Sequence, residues 1–320
     1  MRRLAVLASA IPLLLATACG GSGGGTAKSA APSASAASTA DVKVSGALGS
    51  KPTVTFPKGN PPTKSSSKIL QEGDGAPINE GDNVVVNLTA YSWDGKTNAL
   101  AGSTYDDGSP QLVKIGDTLP KIIHTAFQGF KTGGRFLAVV AVDSLNAQQL
   151  AQAKQQGTDK SASLYVVDVV AATKAKAAHG AAEKADIKGI KLVNPGDDKA
   201  PMLTTKTKVR APKGLIAKTV IEGTGPKVRK GQSLVVQYTG KIWGSDKEFD
   251  SSWTKGQPVM FQIGTGKVIK GWDQGLVGVP VGSRVLLAIP PALGYGEKGQ
   301  GDVIKGTDTL VFVVDVLEAY

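Results

Sequence analysis

Residues 62–93 align with residues 212–243 at a constant offset of 150 and without a gap, and this internal repeat limits the possible folds more than any other feature. Shared residues include Pro62 and Pro212, Glu72 and Glu222, Gly73 and Gly223, Gly81 and Gly231, Val85 and Val235, Thr89 and Thr239, and Trp93 and Trp243. Further on the offset drifts. Pro110 then pairs with Pro258, Gly116 with Gly264, Arg135 with Arg284, and Val166-Val167-Asp168-Val169 with Val313-Val314-Asp315-Val316. One domain type is therefore present twice, each copy about a hundred residues long and able to bury a core of its own.

What lies outside the copies reads as export signal and spacer. Arg2 and Arg3 precede an apolar run from Leu4 to Ala18, a pattern expected of a signal peptide over residues 1–18 and too short for a permanent membrane span. Ala16-Thr17-Ala18-Cys19 resembles a bacterial lipobox, which implies acylation of Cys19, the single cysteine of the chain, and a lipid bilayer as partner. Residues 19–61 begin with Gly, Ser, Ala and Thr and are expected to form a flexible tether. Residues 173–211 are expected to be an Ala- and Lys-rich linker. The stretch 171–213 holds ten Lys/Arg against four Asp/Glu, much of the net charge of +11. Such a run reads as a solvated spacer, or as a surface drawn to anionic lipid or cell-wall polymer. No module for nucleic acid accompanies it.

Hydrolytic, redox and metal chemistry find no support. One cysteine and two histidines, His124 and His179, cannot form a zinc or disulfide framework, and no serine occupies a Gly-x-Ser-x-Gly elbow that either histidine could serve. No cofactor and no metal are expected.

The second copy, residues 212–320, reads as strands around one short helix. In Ser233–Trp243, Leu234, Val236, Tyr238 and Ile242 alternate with Val235, Gln237, Thr239 and Lys241, which points Tyr238 inward. Pro258–Gly264, Ser283–Ile289 and Thr309–Glu318 read as further strands, the last with Leu310, Phe312, Val314 and Val316 on one face and a partly apolar second face that leaves its sidedness open. The helix is expected at Ile269–Gly275, kept short by Gly271, Gly275 and Gly278. The fold class is α+β, a mainly antiparallel sheet with one helix on its concave side.

Val235-Val236-Gln237-Tyr238-Thr239-Gly240, Glu248-Phe249-Asp250-Ser251-Ser252, Gly264, Val268-Ile269-Lys270-Gly271-Trp272, Gly282, Gly294-Tyr295-Gly296 and Thr309-Leu310-Val311-Phe312 together resemble the FKBP family of peptidyl-prolyl cis-trans isomerases. The resemblance implies two tandem FKBP-like domains, each a five-stranded antiparallel half-barrel around a short helix. It implies Trp272 as the floor beneath a prolyl ring and Tyr238, Phe249, Val268 and Phe312 as walls. The Ile269 N–H and the Tyr295 hydroxyl would bond substrate, and Asp250 would stand at the rim. Val259 and Ile304 would belong to the substrate loops. Val259 replaces a frequent aromatic, Gln300 a frequent histidine, and Lys305-Gly306 a Pro-Pro pair, which bears on the affinity for macrolide inhibitors.

The first copy, residues 62–172, departs further and reads as a degenerate FKBP-like domain. Alignment sets Leu88 opposite Tyr238, Pro120 opposite Ile269 and Ile123 opposite Trp272. Gap placement is ambiguous near Tyr105-Asp106, the candidates to stand for Phe249-Asp250. Nothing corresponds to Gly294-Tyr295-Gly296. Asp143–Lys160 reads there as a short helix capped by Asp143 or Ser144.

The expected function is an isomerase of X-Pro segments in exported polypeptides, active through the second copy alone. Its expected place is the extracytoplasmic face of the bacterial cell membrane, held by lipid on Cys19. The alternative is a membrane-anchored chaperone or peptide-binding lipoprotein with little turnover.

Overall fold

The computed structural model describes residues 38–184, 186–196 and 198–320. The expected signal run, Cys19 and the tether up to residue 37 lie outside the described residues. The chain divides after Ala172 into two compact units, both of α+β construction with few helices and mostly antiparallel strands.

The first unit contains β1 (Lys43–Ser45), β2 (Thr53–Thr55), β3 (Ser66–Gln71), β4 (Asn83–Trp93), β5 (Leu100–Ser103), β6 (Gln111–Lys114), α1 (Lys121–Phe127), β7 (Arg135–Val140), α2 (Ala147–Gln155) and β8 (Ala162–Thr173). Among the described residues of the second are β9 (Ala181–Ala182), β10 (Lys191–Val193), β11 (Met202–Thr204), β12 (Ile216–Glu222), β13 (Ser233–Ile242), β14 (Glu248–Ser251), β15 (Val259–Gln262), α3 (Lys270–Leu276), β16 (Arg284–Ile289) and β17 (Leu310–Ala319). The first sheet runs β3-β7-β8-β4-β5, with β6 also on β4. The second runs β12-β16-β17-β13-β14, with β15 also on β13 and β9 added beyond β12. The strand order is the same in both.

Period-two alternation gives each sheet an inner and an outer apolar face. In the second unit Leu234, Val236, Tyr238, Val285, Leu287, Ile289, Phe312, Val314 and Val316 turn inward against α3. Leu286, Ala288, Val311 and Val313 turn outward, and the second apolar face of the last strand is explained by what covers them. Ile187 and Leu203, from the stretch expected to be linker, are buried there, with Ile190, Leu192 and Trp243 at the margin. The first unit does the same with residues expected to be tether: Val42 is buried, and Val44, Val54 and Phe56 pack, against Trp93, Leu137, Val139, Leu164 and Val166. Residues 173–211 are thus no free spacer. Each hairpin offers the sheet one large side chain per strand, too short a pattern to show as periodicity, yet burying a Leu or Ile fully is worth about 1.5–3 kcal/mol.

A buried ion pair fastens each hairpin. Arg284 and Asp315, with side chains 3% and 1% exposed, meet side-on through Nε–Oδ1 and Nη2–Oδ2 contacts of 2.6 Å. Further bonds reach the outer segment, Arg284 Nη1 to Asn194 Oδ1 at 2.9 Å and the Ala178 N–H to Asp315 Oδ2 at 2.8 Å. In the first unit Arg135 pairs with Asp168 and donates to the carbonyls of Gly46, Ala47 and Ser50 in the turn between β1 and β2. Arg284 and Asp315 are cross-strand partners on β16 and β17, as Arg135 and Asp168 are on β7 and β8.

Two local expectations are corrected. The helix expected over Asp143–Lys160 is α2, but its cap is Asn146, whose side chain accepts from the Gln149 N–H at 2.9 Å while Gln149 answers the Asn146 N–H at 3.0 Å. Asp143 is spent on the Ser65 N–H instead. α3 starts one residue later than expected, with Ile269 as its N-cap, and reaches Leu276.

Removing one partner of a buried pair leaves the other charge uncompensated. Asp315→Ala is expected to destabilise the second unit by about 3–5 kcal/mol, and Arg284→Met with Asp315→Leu together by clearly less. Urea unfolding followed by tryptophan fluorescence checks this, since Trp243, Trp253 and Trp272 all lie in that unit.

Candidate functional site

The residues singled out by sequence converge at one end of the inner face. Tyr238 and Phe312 come from adjacent strands, offset by two positions because Tyr238 is paired with Val314 and Gly240 with Phe312. Trp272 rises between them from α3. Its ring centroid lies 5.5 Å from Tyr238 and 5.3 Å from Phe312, with interplanar angles of 85° in both cases. Phe249 on β14 meets Phe312 edge-on at 5.3 Å. These edge-to-face contacts hold the rings in place.

Small residues make the arrangement possible. A Cβ on Gly240 would lie 2.7 Å from both Phe249 Cζ and Phe312 Cε1, so any other residue would displace one wall. A Cβ on Gly271 would lie 2.5 Å from the Ile289 side chain, so this glycine sets how closely α3 lies on β16.

The approach to α3 is held by Asp273, whose carboxylate accepts from the Gly264 N–H at 2.6 Å and the Gly266 N–H at 2.8 Å. This tie fixes the turn ahead of Val268 and Ile269, both partly buried against the same cluster. Ile269, as the N-cap, gives its carbonyl to Trp272 and Asp273, while its own N–H has no partner among the described residues. Tyr238 donates its hydroxyl to Asp250, and Lys255 donates to the other oxygen of that carboxylate. Both oxygens of Asp250 are therefore engaged. The indole Nε1 of Trp272 is buried without a hydrogen-bond partner.

On the far side Tyr295 and Leu293 pack against the cluster, and Ile304 is buried within it. Ile304 is held there by paired backbone bonds with Gln300, 2.8 Å from the Gln300 N–H and 3.2 Å to its carbonyl. Val259 contributes a half-buried aliphatic side chain from β15. The ring missing at Val259 is supplied two residues on by Phe261, which meets Trp272 at 5.2 Å and 82° and Tyr238 at 6.2 Å. Sequence reading passed over Phe261, although its even spacing from Val259 already placed it on the same face of the strand.

The corresponding end of the first unit is chemically different. Leu88 occupies the Tyr238 position, because Val86 and Gln111 pair as Val236 and Val259 do. Pro120 caps α1 as Ile269 caps α3, and Ile123 is buried where Trp272 stands. The expectation for Tyr105-Asp106 is corrected by register. Thr89 pairs with Ser103 as Thr239 pairs with Ser251, so Ala101 and Gly102 stand opposite Phe249 and Asp250. Tyr105 falls instead where Trp253 lies and donates its hydroxyl to Asp168. The aromatic bulk has moved toward the other end of the core, where Phe136 meets Phe127 at 5.1 Å and Phe130 at 5.3 Å.

Burial first, then the negative charge of Asp250, pushes the Tyr295 phenol above its ordinary value of 10.0, and burial with the Asp250 hydrogen bond pushes Tyr238 the same way. Below pH 10 these phenols are protonated in both folded and unfolded chains. Above it the unfolded chain sheds its protons first, so stability falls as pH rises. Tyr295→Phe removes one such group, and its alkaline unfolding, followed by circular dichroism, is expected to begin at higher pH than in the parent.

A family model described as FKBP-type peptidyl-prolyl cis-trans isomerase matches residues 225–317. The chain is 45% identical over 107 residues to an FK506-binding protein of Streptomyces anulatus, a match covering 33% of this chain and 86% of that protein. It is 50% identical over 92 residues to FK506-binding protein 2B of Rhizopus delemar, covering 29% of this chain and 44% of that one. Among solved structures, the crystal structure of AtFKBP13 is 36% identical and matches with a TM-score of 0.32, covering 34% of this chain and 96% of that one. The chain belongs to the FKBP-type peptidyl-prolyl cis-trans isomerase family, and its isomerase domain is the C-terminal one, over residues 225–317.

Proposed function

We propose that the ring-lined end of the second unit is the proline pocket, and that it turns over X-Pro bonds in exported polypeptides. The observation that carries this reading is the enclosure of Trp272 by Tyr238, Phe261 and Phe312 beside the unpartnered Ile269 N–H. Rotation about an amide costs about 18–20 kcal/mol because of C–N double-bond character, and X-Pro bonds isomerise unaided in about tens to hundreds of seconds. No bond is broken, so the catalyst must favour the twisted amide over both planar forms. An apolar enclosure does this by withholding the water that solvates the planar, more polar amide. In this reading Trp272 is the floor, Tyr238, Phe249, Val268 and Phe312 are walls, the Ile269 N–H holds a substrate carbonyl, and the Tyr295 hydroxyl donates a second bond. Asp250 stands beside the twisting carbonyl, and Val259 and Ile304 border the flanking residues. Macrolides of the FK506 type would compete for the same space.

The first unit is, in this proposal, a second copy of the FKBP half-barrel that binds chains without turning them over. Pro120 supports this directly, because proline at the N-cap has no N–H to offer a substrate. The whole protein acts at the extracytoplasmic face of the bacterial membrane, held by acylated Cys19.

Nature's own substitution supplies the test. Ile269 has φ −62°, which proline adopts without strain, so Ile269→Pro deletes the N–H while keeping the turn. In the full chain kcat/KM toward an X-Pro peptide is expected to fall about tenfold to a hundredfold, and to background with Trp272→Leu added. Unchanged activity in a folded double variant would show that the pocket is misassigned or that the first unit turns over substrate.

A further inference from the structure

The hairpin that covers the outer face of the second unit differs from its counterpart in what it shows to solvent. In the first unit Lys43, Val44 and Ser45 pair with Thr55, Val54 and Thr53. In the second, Lys191, Leu192 and Val193 pair with Thr204, Leu203 and Met202. The middle pair of each packs on its sheet. The flanking pair that faces away is polar in the first unit, Ser45 with Thr53, and apolar in the second, Val193 with Met202. Met202 is 58% exposed and Val193 37%.

Exposed cations flank this apolar pair in sequence. Lys188, Lys191, Lys199, Lys206, Lys208 and Arg210 are all exposed, and none forms an ion pair among the described residues. From Met202 to Arg210 exposed and covered positions alternate, so that Met202, Thr204, Lys206, Lys208 and Arg210 are open while Leu203 and Thr205 are buried. The acidic residues of the same segment are Glu183, Asp186 and Asp198, with Asp197 beside the last in sequence. The fold thus spends the inner side chains of a strongly basic segment on the sheet and leaves its charge facing out.

We propose that this face docks on the surface of an anionic lipid bilayer, with Met202 and Val193 entering the headgroup region and the lysines and Arg210 meeting lipid phosphates. Charge alone would suit any polyanion. The exposed apolar pair among the cations decides for the bilayer, because only an interface with an apolar side gains from burying Met202 and Val193 while the cations stay at headgroup level. The contact does not depend on acylation of Cys19 and adds a second, charge-dependent hold.

The test uses the full chain carrying Cys19→Ser, so that no acyl group contributes, with vesicles of phosphatidylcholine alone and of phosphatidylcholine mixed with phosphatidylglycerol. The parent is expected to bind the anionic vesicles more tightly, and increasingly so as salt is lowered. Lys206→Ala with Lys208→Ala and Arg210→Ala should weaken that binding about tenfold or more. Val193→Ser with Met202→Thr, which installs the pair of the first unit, should weaken it severalfold. Unchanged isomerase activity in both variants shows that they are folded. Equal binding to both vesicle types, or a triple variant that binds like the parent, overturns the proposal. So does an apolar-pair variant with undiminished vesicle binding when polyphosphate also captures the parent, since that would mark a site for soluble polyanions.

Discussion

On the outer side of each sheet a buried guanidinium–carboxylate pair must find its remaining partners in the segment laid over it. Two charges withdrawn from water cost several kcal/mol each unless every donor and acceptor is met. Within the sheet Arg284 and Asp315 satisfy only part of each other, and the rest must come from the segment laid over them, through Asn194 and the Ala178 N–H. The chain ahead of each sheet is therefore a structural part of its unit, although its composition looks like spacer. The first unit reaches the same end with three backbone carbonyls, of Gly46, Ala47 and Ser50, in place of an asparagine side chain. Different partners serving one pair show that it is the pair, rather than any one contact, that the hairpins are built around.

The same two strands carry the proposed pocket on their other face. Leu286 and Val313 look outward to the hairpin, while Leu287 and Phe312, one residue along, look inward to Trp272. With both faces covered, β16 and β17 are fixed from two sides, and the rings at one end need only small residues beneath them. The closeness of Gly240 to the Phe249 ring makes the point. In the first unit Ala90 holds the Gly240 position and Ala101 the Phe249 position, because a methyl group at the first site leaves no room for a phenyl ring at the second.

Much of this was legible from residues alone. The strands, the short helix and the inward side of Tyr238 followed from alternation and glycine placement, and every residue named for the second copy is gathered at one end of the inner face except Asp250, which reaches it through Tyr238. The places of Leu88, Pro120 and Ile123 also followed, because those stretches align with little ambiguity. What could not be read had physical reasons. Hairpins with strands of three residues carry no periodic signal, so residues 38–61 and 173–211 passed for tether and linker. The misplacement of Tyr105 arose where the β4–β5 and β13–β14 pairings each shift register, at Ala90/Tyr91 and Gly240/Lys241, so that counting residues no longer counts faces. Asn146 was overlooked as a cap because Asp143 and Ser144 precede it and are equally good capping residues.

A site proposed to work by enclosure has an unusual relation to the fold that bears it. Nucleophiles, metal ligands and buried acids are foreign to a core, so losing them relieves a strain on stability, and keeping them requires special support. Trp272, Tyr238 and Phe312 are core residues in their own right, and replacement by Ile, Leu and Tyr, as at Ile123, Leu88 and Tyr165, leaves an apolar core that still packs. The fold can therefore lose such a pocket by conservative steps while its sheet, its helix and its ion pair stay in place. In the proposed reading, the two units of this chain stand at the two ends of that series.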